Sequence, residues 1–573
     1  MTSSTSYSVN PCFPVLCSPL EESSVVSSLK YTEPMTPPDA FVSSLITLPD
    51  GTSLLQVPAY VEAQYTEIDG LRTMASPEVF FAYDWVYFMP EVYLSFMGLL
   101  LLVWAVWTGM SSSYDYPALN GAFGILGATT LALTALLYAY GMVGIDREIC
   151  QKTLLLDPLS LYLSFLVLGA TLGTMLLSGP YTTNSVDKLP PYEINLLVLY
   201  AALSMIFLVQ ANDLLMVYLC VEFQSICLYI LAASKKHSVL SVEAGLKYFV
   251  LGALASGIFL FGASLVYGLT GLTKLTDLGL FLQASEQIDP PFVMGLLCIG
   301  VGLMFKVGAA PFHFWVPDVY EGAPTPITAF FAVGPKMAMF GLLLRLLTLA
   351  PEAFESTWII LFSFCAGLSF IVGAWGALVQ TKLKRLFAYS SVGHVGWILL
   401  AMCAPGEAGM SATMVYMSLY VCMSLVVFGV LLNLRSAHHG RRIIRLHELK
   451  GLGRSNPALA FCLSVCMLSM AGIPPLAGFA SKALVLVAAV ESHLYGIAFL
   501  GLLTSVVSTF YYLRIVSVMY FEGVPSDAQE WESIGSLQSV LLAGLTLFIL
   551  CFGLWPQPVL EGAKYVGLSL VLR

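Results

Sequence analysis

The sequence predicts an all-α polytopic membrane protein of about fourteen transmembrane helices, arranged as two inverted five-helix repeats with two discontinuous helices. Three observations carry this. Mean hydropathy is +0.83, with 58% hydrophobic and 10% charged residues, against about 25% charged in an ordinary soluble domain. From Glu91 onward, apolar runs of about 18–25 residues alternate with short polar loops, the length that crosses ~30 Å of hydrocarbon. Two of these runs, the seventh and the twelfth, are interrupted by proline.

Residues 1–85 form a polar extension rich in Ser, Thr and Pro, with ten Asp/Glu against two Lys/Arg. Most of the net charge of −10 resides there, which argues against nucleic acid as a partner. A mitochondrial presequence is Arg-rich and poor in acids, so the extension is not a simple cleaved leader. Its hydrophobes Phe41, Leu45, Ile46, Leu54 and Leu55 suit a segment lying along a surface. Cys12 and Cys17 could pair if it faced an oxidising space. The remaining cysteines fall mostly in apolar runs as small fillers. The chain has no C-x-x-C and no Cys/His spacing suited to a metal. No nucleotide, haem or iron–sulfur motif occurs either.

The transmembrane domain spans 86–570. Its segments fall at about 91–108, 121–143, 158–178, 193–210, 213–233, 243–270, 292–310, 325–349, 357–379, 386–404, 411–434, 457–490, 493–516 and 536–556. The seventh ends in Ala-Ala-Pro and continues as "FHFWVPDVYEGAPTP", too apolar for a solvent loop and too proline-rich for a helix. The twelfth, 34 residues long, would measure about 51 Å if straight, and "AGIPPLAGF" (471–479) breaks it. Interrupted helices at corresponding positions of two halves mark an inverted-repeat transporter and its ion path. Segments four to eight and nine to thirteen are then the repeats, about 193–349 and 357–516. Loops after odd-numbered segments carry about 13 Lys and Arg and the opposite side about 8. The basic loops therefore face the cytoplasm or matrix, and both termini face the other side.

Five charges lie inside apolar segments: Glu222, Lys247, Lys306, Lys336 and Lys482. Each costs about 2.5–3.5 kcal/mol on the insertion scale, and a lysine near a helix end can escape that cost by snorkelling. Glu222 is too short and too deep to do so, and Lys336, after Gly334 and Pro335, is equally deep. Lys482 follows the Pro474–Pro475 break. Lys306 and Lys247 lie nearer helix ends. A lysine poised between desolvation and a nearby carboxylate can load and release a proton as its partner moves. A row of them, bridged by water and hydroxyls where broken helices admit water, is a proton relay. His313, in the unwound stretch after Lys306, and His394, in "AYSSVGHVGW", can bridge lysines by carrying protons near neutral pH.

Four blocks resemble the antiporter-like membrane subunits of respiratory complex I, the proton-pumping NADH:ubiquinone oxidoreductase, and most resemble its chain 2 type (chain N in bacteria). They are "VEFQSICLYILAASKK" (221–236), "EAGLKYFVLGALASGIFLFGASLVYGLTG" (243–271), "FKVGAAPFHFWVPDVYEGAPTPITAFFAVGPKMAMFG" (305–341) and "TKLKRLFAYSSVGHVGWILL" (381–400). A shorter fifth is "SMAGIPPLAGFASK" (469–482). The third is the most specific. The resemblance implies that Glu222 and Lys306 form an ion pair tuning the relay. It implies that Lys247 and Lys336 continue the relay and that Lys482 stands nearest its exit. His313 and His394 match polar residues on the same axis. Lysine at 482 matches chain 2, where the chain 4 type has glutamate.

The resemblance further implies that this chain holds no cofactor or metal, with flavin, iron–sulfur clusters and ubiquinone in other subunits. Its partners would be other membrane-arm subunits, including neighbouring antiporter-like chains, and lipids. Its place would be the mitochondrial inner membrane, with both termini on the intermembrane-space side. The long front extension departs from the family pattern and suggests a eukaryotic lineage. The rival functions are a stand-alone cation/proton antiporter, the matching subunit of a plastid-type complex, and a scaffold with a vestigial channel.

Overall fold

The computed structural model describes residues 65–68, 71–74, 87–109, 116–141, 147–183, 191–284, 289–348, 352–435, 443–523 and 534–571. The chain divides into two compact units, Met1–Tyr83 and Asp84–Arg573. In the first unit the described backbone is an antiparallel hairpin of β1 (Tyr65–Ile68) and β2 (Leu71–Met74). Cys12, Cys17 and the five hydrophobes singled out in the extension lie outside the described residues.

The second unit is a helical bundle. It begins with α1 (Met89–Gly109) and α2 (Tyr116–Gly141). A short hairpin, β3 (Arg147–Ile149) with β4 (Leu154–Leu156), leads into α3 (Pro158–Thr183). Then follow α4 (Pro191–Gln210), α5 (Leu214–Ala232), α6 (Val239–Thr270) and the short α7 (Leu275–Ala284). Next come α8 (Pro290–Val307), α9 (Trp315–Gly322), α10 (Thr325–Thr348), α11 (Glu352–Leu378), α12 (Leu383–Met402) and α13 (Gly406–Asn433). A one-turn α14 (Leu452–Ser455) precedes α15 (Pro457–Ala471), α16 (Ala477–Glu491), α17 (Tyr495–Tyr520), α18 (Ser536–Leu554) and α19 (Gln557–Val571).

Among the described residues, twelve helices are long and apolar enough to cross a membrane. They coincide with twelve of the fourteen expected segments. The other two differ for physical reasons. The tenth, α12, opens on Lys384 and Arg385 and carries Ser390, Ser391 and His394, which dilute its hydropathy. The twelfth is split into α15 and α16, each 15 residues. α19 lies beyond the last expected span and packs back on α13 and α3.

Both interrupted segments are broken by the same device. α8 ends at Gly308 (φ 81°), whose N–H donates to the carbonyls of Met304 and Phe305 at 3.0 Å, while Ala309 N–H donates to Met304 O. α15 ends at Gly472 (φ 88°), whose N–H donates to Leu468 and Ser469, while Ile473 N–H donates to Leu468 O. This paired closure needs a left-handed residue, which glycine supplies without a Cβ clash. Freed backbone groups at each break find protein partners, as they must at membrane depth. Ala310 N–H donates to Ser369 Oγ at 2.9 Å, and Gly478 N–H to Ser469 Oγ at 3.0 Å. A Cβ on residue 308 would also meet Val316 Cγ2 at 2.6 Å. Gly308→Ala is therefore expected to destabilise by about 1–2 kcal/mol or more, read as a lower melting temperature of the detergent-solubilised protein.

The layering follows polarity rather than hydropathy. α10 is buried over Thr325–Leu346, and α13 over most of its length. α1, α6, α17 and α18 expose most of their surface. Small residues let α6 and α8 approach closely: a Cβ on Gly262 would lie 2.5 Å from Gly295 O. One buried ion pair ties α10 to the loop before α3. Arg345 Nη2 lies 3.0 Å from Asp157 Oδ1 and donates to Val209 O at 3.0 Å. Asp157 Oδ1 also accepts from Ser160 N–H at 2.7 Å, closing the first turn of α3.

Candidate functional site

In the first half the site is built on α5, α8 and α10. Asp213 caps α5, accepting from Leu215 N–H at 2.7 Å. Residues 222, 225 and 229 then lie on one face of the helix, at the i, i+3, i+7 spacing. The Lys306 ammonium donates to Ser225 Oγ at 2.7 Å and Tyr229 OH at 3.2 Å, and lies 5.6 Å from the Tyr229 ring. The expected Glu222–Lys306 ion pair is thus not a direct contact. Lys306 donates instead to the hydroxyls one and two turns further along α5. Glu222 is partly buried, and its Oε1 has no hydrogen-bond partner among the described residues.

Lys336 stands in the middle of α10, 2% exposed. Its ammonium has no hydrogen-bond partner among the described residues. It lies 5.7 Å from the Tyr320 ring and 5.9 Å from the Tyr420 ring, so aromatic faces partly replace water around the cation. Pro335 has no N–H to give the carbonyl four residues back. That carbonyl, Phe331 O, accepts instead from Tyr320 OH at 3.2 Å.

Beyond Tyr420 the second half continues the polar line. The Tyr420 ring lies 5.3 Å from that of His394. His394 Nδ1 is 2.8 Å from Tyr416 OH and Nε2 3.1 Å from Tyr512 OH, and Tyr512 OH is hydrogen-bonded to Ser390 Oγ. Lys482, on the first turns of α16, donates to the carbonyls of Met470 at 2.9 Å and Ala471 at 3.0 Å. Those carbonyls close α15 at its negative dipole end, which favours a cation. The Lys482 ammonium also lies 5.6 Å from the Trp397 ring. A cavity of about 20 Å³, lined by Ser390, His394, Trp397, Lys482, Thr504 and Tyr512 among others, has room for a single water. A smaller one lies between Ser390, Ser391, Tyr420 and Met470. Tyr416 and Tyr420, an i, i+4 pair in an apolar segment, and Tyr512 were not singled out in the sequence. That pairing was the available signal for the first two.

His313 is buried in the stretch after the first break, stacked on Phe314 at 4.8 Å, with Nδ1 unpartnered among the described residues. Lys247 is not a buried charge. α6 has 32 residues, about 48 Å against ~30 Å of hydrocarbon, so it is longer than the apolar layer. Lys247 is 44% exposed and pairs with Glu243 at 2.8 Å and Asp318 at 3.0 Å. Asp318 also meets Arg385 at 3.4 Å, and Glu321 meets Arg385 at 3.2 Å and Lys382. This network joins α6 and α9 to the first turn of α12, and it explains the acidic pair in "WVPDVYEG". Because Lys247 is exposed and its pairs are surface pairs, Lys247→Met is expected to leave the melting temperature nearly unchanged. Thermal melting of the purified protein checks this, and a large fall in melting temperature would place Lys247 back among buried charges.

Among the described residues, no three or more His, Cys, Asp or Glu side chains come together in a way that could hold a metal ion.

The family described as "NADH:quinone oxidoreductase/Mrp antiporter, TM" matches residues 211–508. "NADH-ubiquinone oxidoreductase chain 2" of Marchantia polymorpha is 39% identical over 497 residues, covering 86% of this chain and 100% of the relative. The chain belongs to this family. "NADH-quinone oxidoreductase subunit N" of Paramagnetospirillum magneticum is 40% identical over 486 residues, 84% of this chain and 97% of the relative. Among solved structures, a chain of respiratory complex I from Thermus thermophilus has 31% identity and a TM-score of 0.69, covering 82% of this chain and 98% of that one. A chain of the Mrp complex from a Dietzia species has 20% identity and a TM-score of 0.73, covering 86% and 98%, a likeness of fold. The span shared with the NADH:quinone oxidoreductase/Mrp antiporter family holds Glu222, Lys247, Lys306, His313, Lys336, His394 and Lys482. α1 to α4 precede it.

Proposed function

We propose that this chain is the chain 2 (subunit N) type membrane-arm subunit of a proton-translocating NADH:quinone oxidoreductase. Protons pass along Lys306, Lys336, His394 and Lys482, with Glu222 biasing the input lysine. The observation that carries this is the set of three buried lysines and a histidine, lined by Ser225, Tyr229, Tyr420, Tyr416 and Tyr512, with Lys306 and Lys482 beside the two helix breaks. A buried ammonium with few partners is poised to give up its proton, and hydroxyls, ring nitrogens and trapped water are the groups that pass it on. Aromatic faces and helix-end carbonyls hold each cation until it does so.

In this reading the chain carries no redox group, and electron transfer takes place in partner subunits holding flavin, iron–sulfur clusters and the quinone site. Its neighbours are other antiporter-like chains and lipid. It resides in the mitochondrial inner membrane with both termini on the intermembrane-space side. The test is purification from native membranes followed by reconstitution. The chain should co-purify with flavin and iron–sulfur subunits, and Lys306→Ala should lower protons moved per NADH. Purification alone would favour a stand-alone antiporter. Normal pumping by an assembled Lys306→Ala complex would leave a scaffold.

A further inference from the structure

A second buried ionisable site lies away from the lysine relay. Glu91, in the first turn of α1, is 1% exposed. Its neighbours are Tyr138 of α2 (0%) and Gln210, the last residue of α4 (1%). The Tyr138 hydroxyl donates to Glu91 Oε1, and the Gln210 amide donates to the same oxygen at 2.7 Å and to the Tyr138 hydroxyl oxygen at 3.0 Å. Glu91 Oε2 is buried and has no hydrogen-bond partner among the described residues.

That asymmetry has a chemical meaning. An ionised carboxylate spreads its charge over both oxygens, and in a low-dielectric setting it draws donors or a cation to each. Here one oxygen takes two donors and the other takes none, and no described cation pairs with the group. The arrangement suits a neutral acid, with Oε1 as the accepting carbonyl oxygen and Oε2 carrying the hydrogen. The titratable group in contact is Tyr138. On the same elements stand Tyr93 of α1, Tyr140 of α2, and Tyr192, Glu193 and Tyr200 of α4, while the Arg147 guanidinium lies 4.9 Å from the Tyr87 ring just before α1.

The position is also informative. Gln210 follows Val209, whose carbonyl is held by Arg345, nine residues past Lys336 on α10. The end of α4 is therefore gripped by Glu91 on one side and by the helix of the central lysine on the other. Glu91 and Tyr138 lie outside the 211–508 span shared with the family.

We propose that Glu91, with Tyr138 and Gln210 as its donors, is a further proton-binding site, holding a proton on Oε2 at neutral pH. The proton comes from water and adds to the carboxylate; no other bond changes. A part for this site in turnover rests on the proton-translocating reading above, but its occupancy by a proton does not.

The test is infrared spectroscopy of the intact complex at neutral pH, wild type against Glu91→Gln, in H2O and after exchange into D2O. A protonated-carboxyl C=O band that shifts down in D2O and is lost in Glu91→Gln is the expected result. Tyr138→Phe should keep the band and shift it up, because one donor to Oε1 is gone. Should Glu91→Gln not assemble, that upward shift alone carries the test. No carboxyl band lost in Glu91→Gln, loss of a carboxylate band instead, or no shift in Tyr138→Phe would overturn the proposal. Lys336→Met leaves this band in place, so the relay and this site fail independently.

Discussion

Lys336→Met should assemble at least as well as the wild type and yet fail to pump. Met fills a similar volume without the charge. Lysine at the centre of a membrane helix costs about 2.5–3.5 kcal/mol on the insertion scale, and the Lys336 ammonium has no hydrogen bond among the described residues to offset it. Removing the charge should therefore leave thermal stability unchanged or raise it. Removing a group that carries the proton in a relay should slow proton-coupled NADH:quinone turnover by about 10²-fold, the low end of what a positioned proton carrier contributes. The pair of measurements is a melting curve of the purified complex and proton uptake by vesicles per NADH. A variant that melts earlier but pumps normally would make Lys336 a structural residue and remove the centre of the relay.

Asp157→Ala should act in the opposite sense, on stability. Asp157 and Arg345 are 3–4% exposed and 3.0 Å apart. Removing the carboxylate leaves the guanidinium buried without its counter-charge, which typically costs about 3–5 kcal/mol. Loss of the α3 cap at Ser160 adds about 1 kcal/mol. The expected result is a strongly reduced yield of assembled complex and a lower melting temperature. Arg345→Met together with Asp157→Ala should recover part of the loss, because the stranded charge is gone. An Asp157→Ala protein that melts like the wild type would show that Arg345 is satisfied some other way.

Much of the candidate site was legible because a charge or a proline inside an apolar run has no bland reason to be there. Lys306, Lys336, Lys482 and His394 stood out in this way, and all four are buried. The partners of those residues were not legible. Ser225, Tyr229, Tyr416, Tyr420 and Tyr512 are ordinary components of membrane helices, and their value depends on what faces them across a helix pair. Lys247 shows the converse. Its neighbours in sequence are apolar, but its side chain is 44% exposed and pairs with Glu243 and Asp318. Glu222 is partly buried, yet Lys306 turns to Ser225 and Tyr229. Glu91 was passed over because it opens its segment, where an acidic residue normally faces water and favours the helix N-terminus.

By itself the sequence determined that the chain is a membrane helix bundle, where its backbone breaks, and that Lys306, Lys336, Lys482 and His394 are set within it. Those follow from local physics: apolar length against bilayer thickness, proline against the helix ladder, and charge against hydrocarbon. Only the tertiary structure decided which helices are central, which hydroxyl meets each lysine, and that Glu91 has a buried oxygen without a partner. The reason is that lipid is as apolar as a protein interior, so hydropathy marks what enters the membrane but not what faces the core. That second choice is made by small residues, hydroxyls and ring faces meeting across helices far apart in sequence, as Tyr320 and Tyr420 do around Lys336.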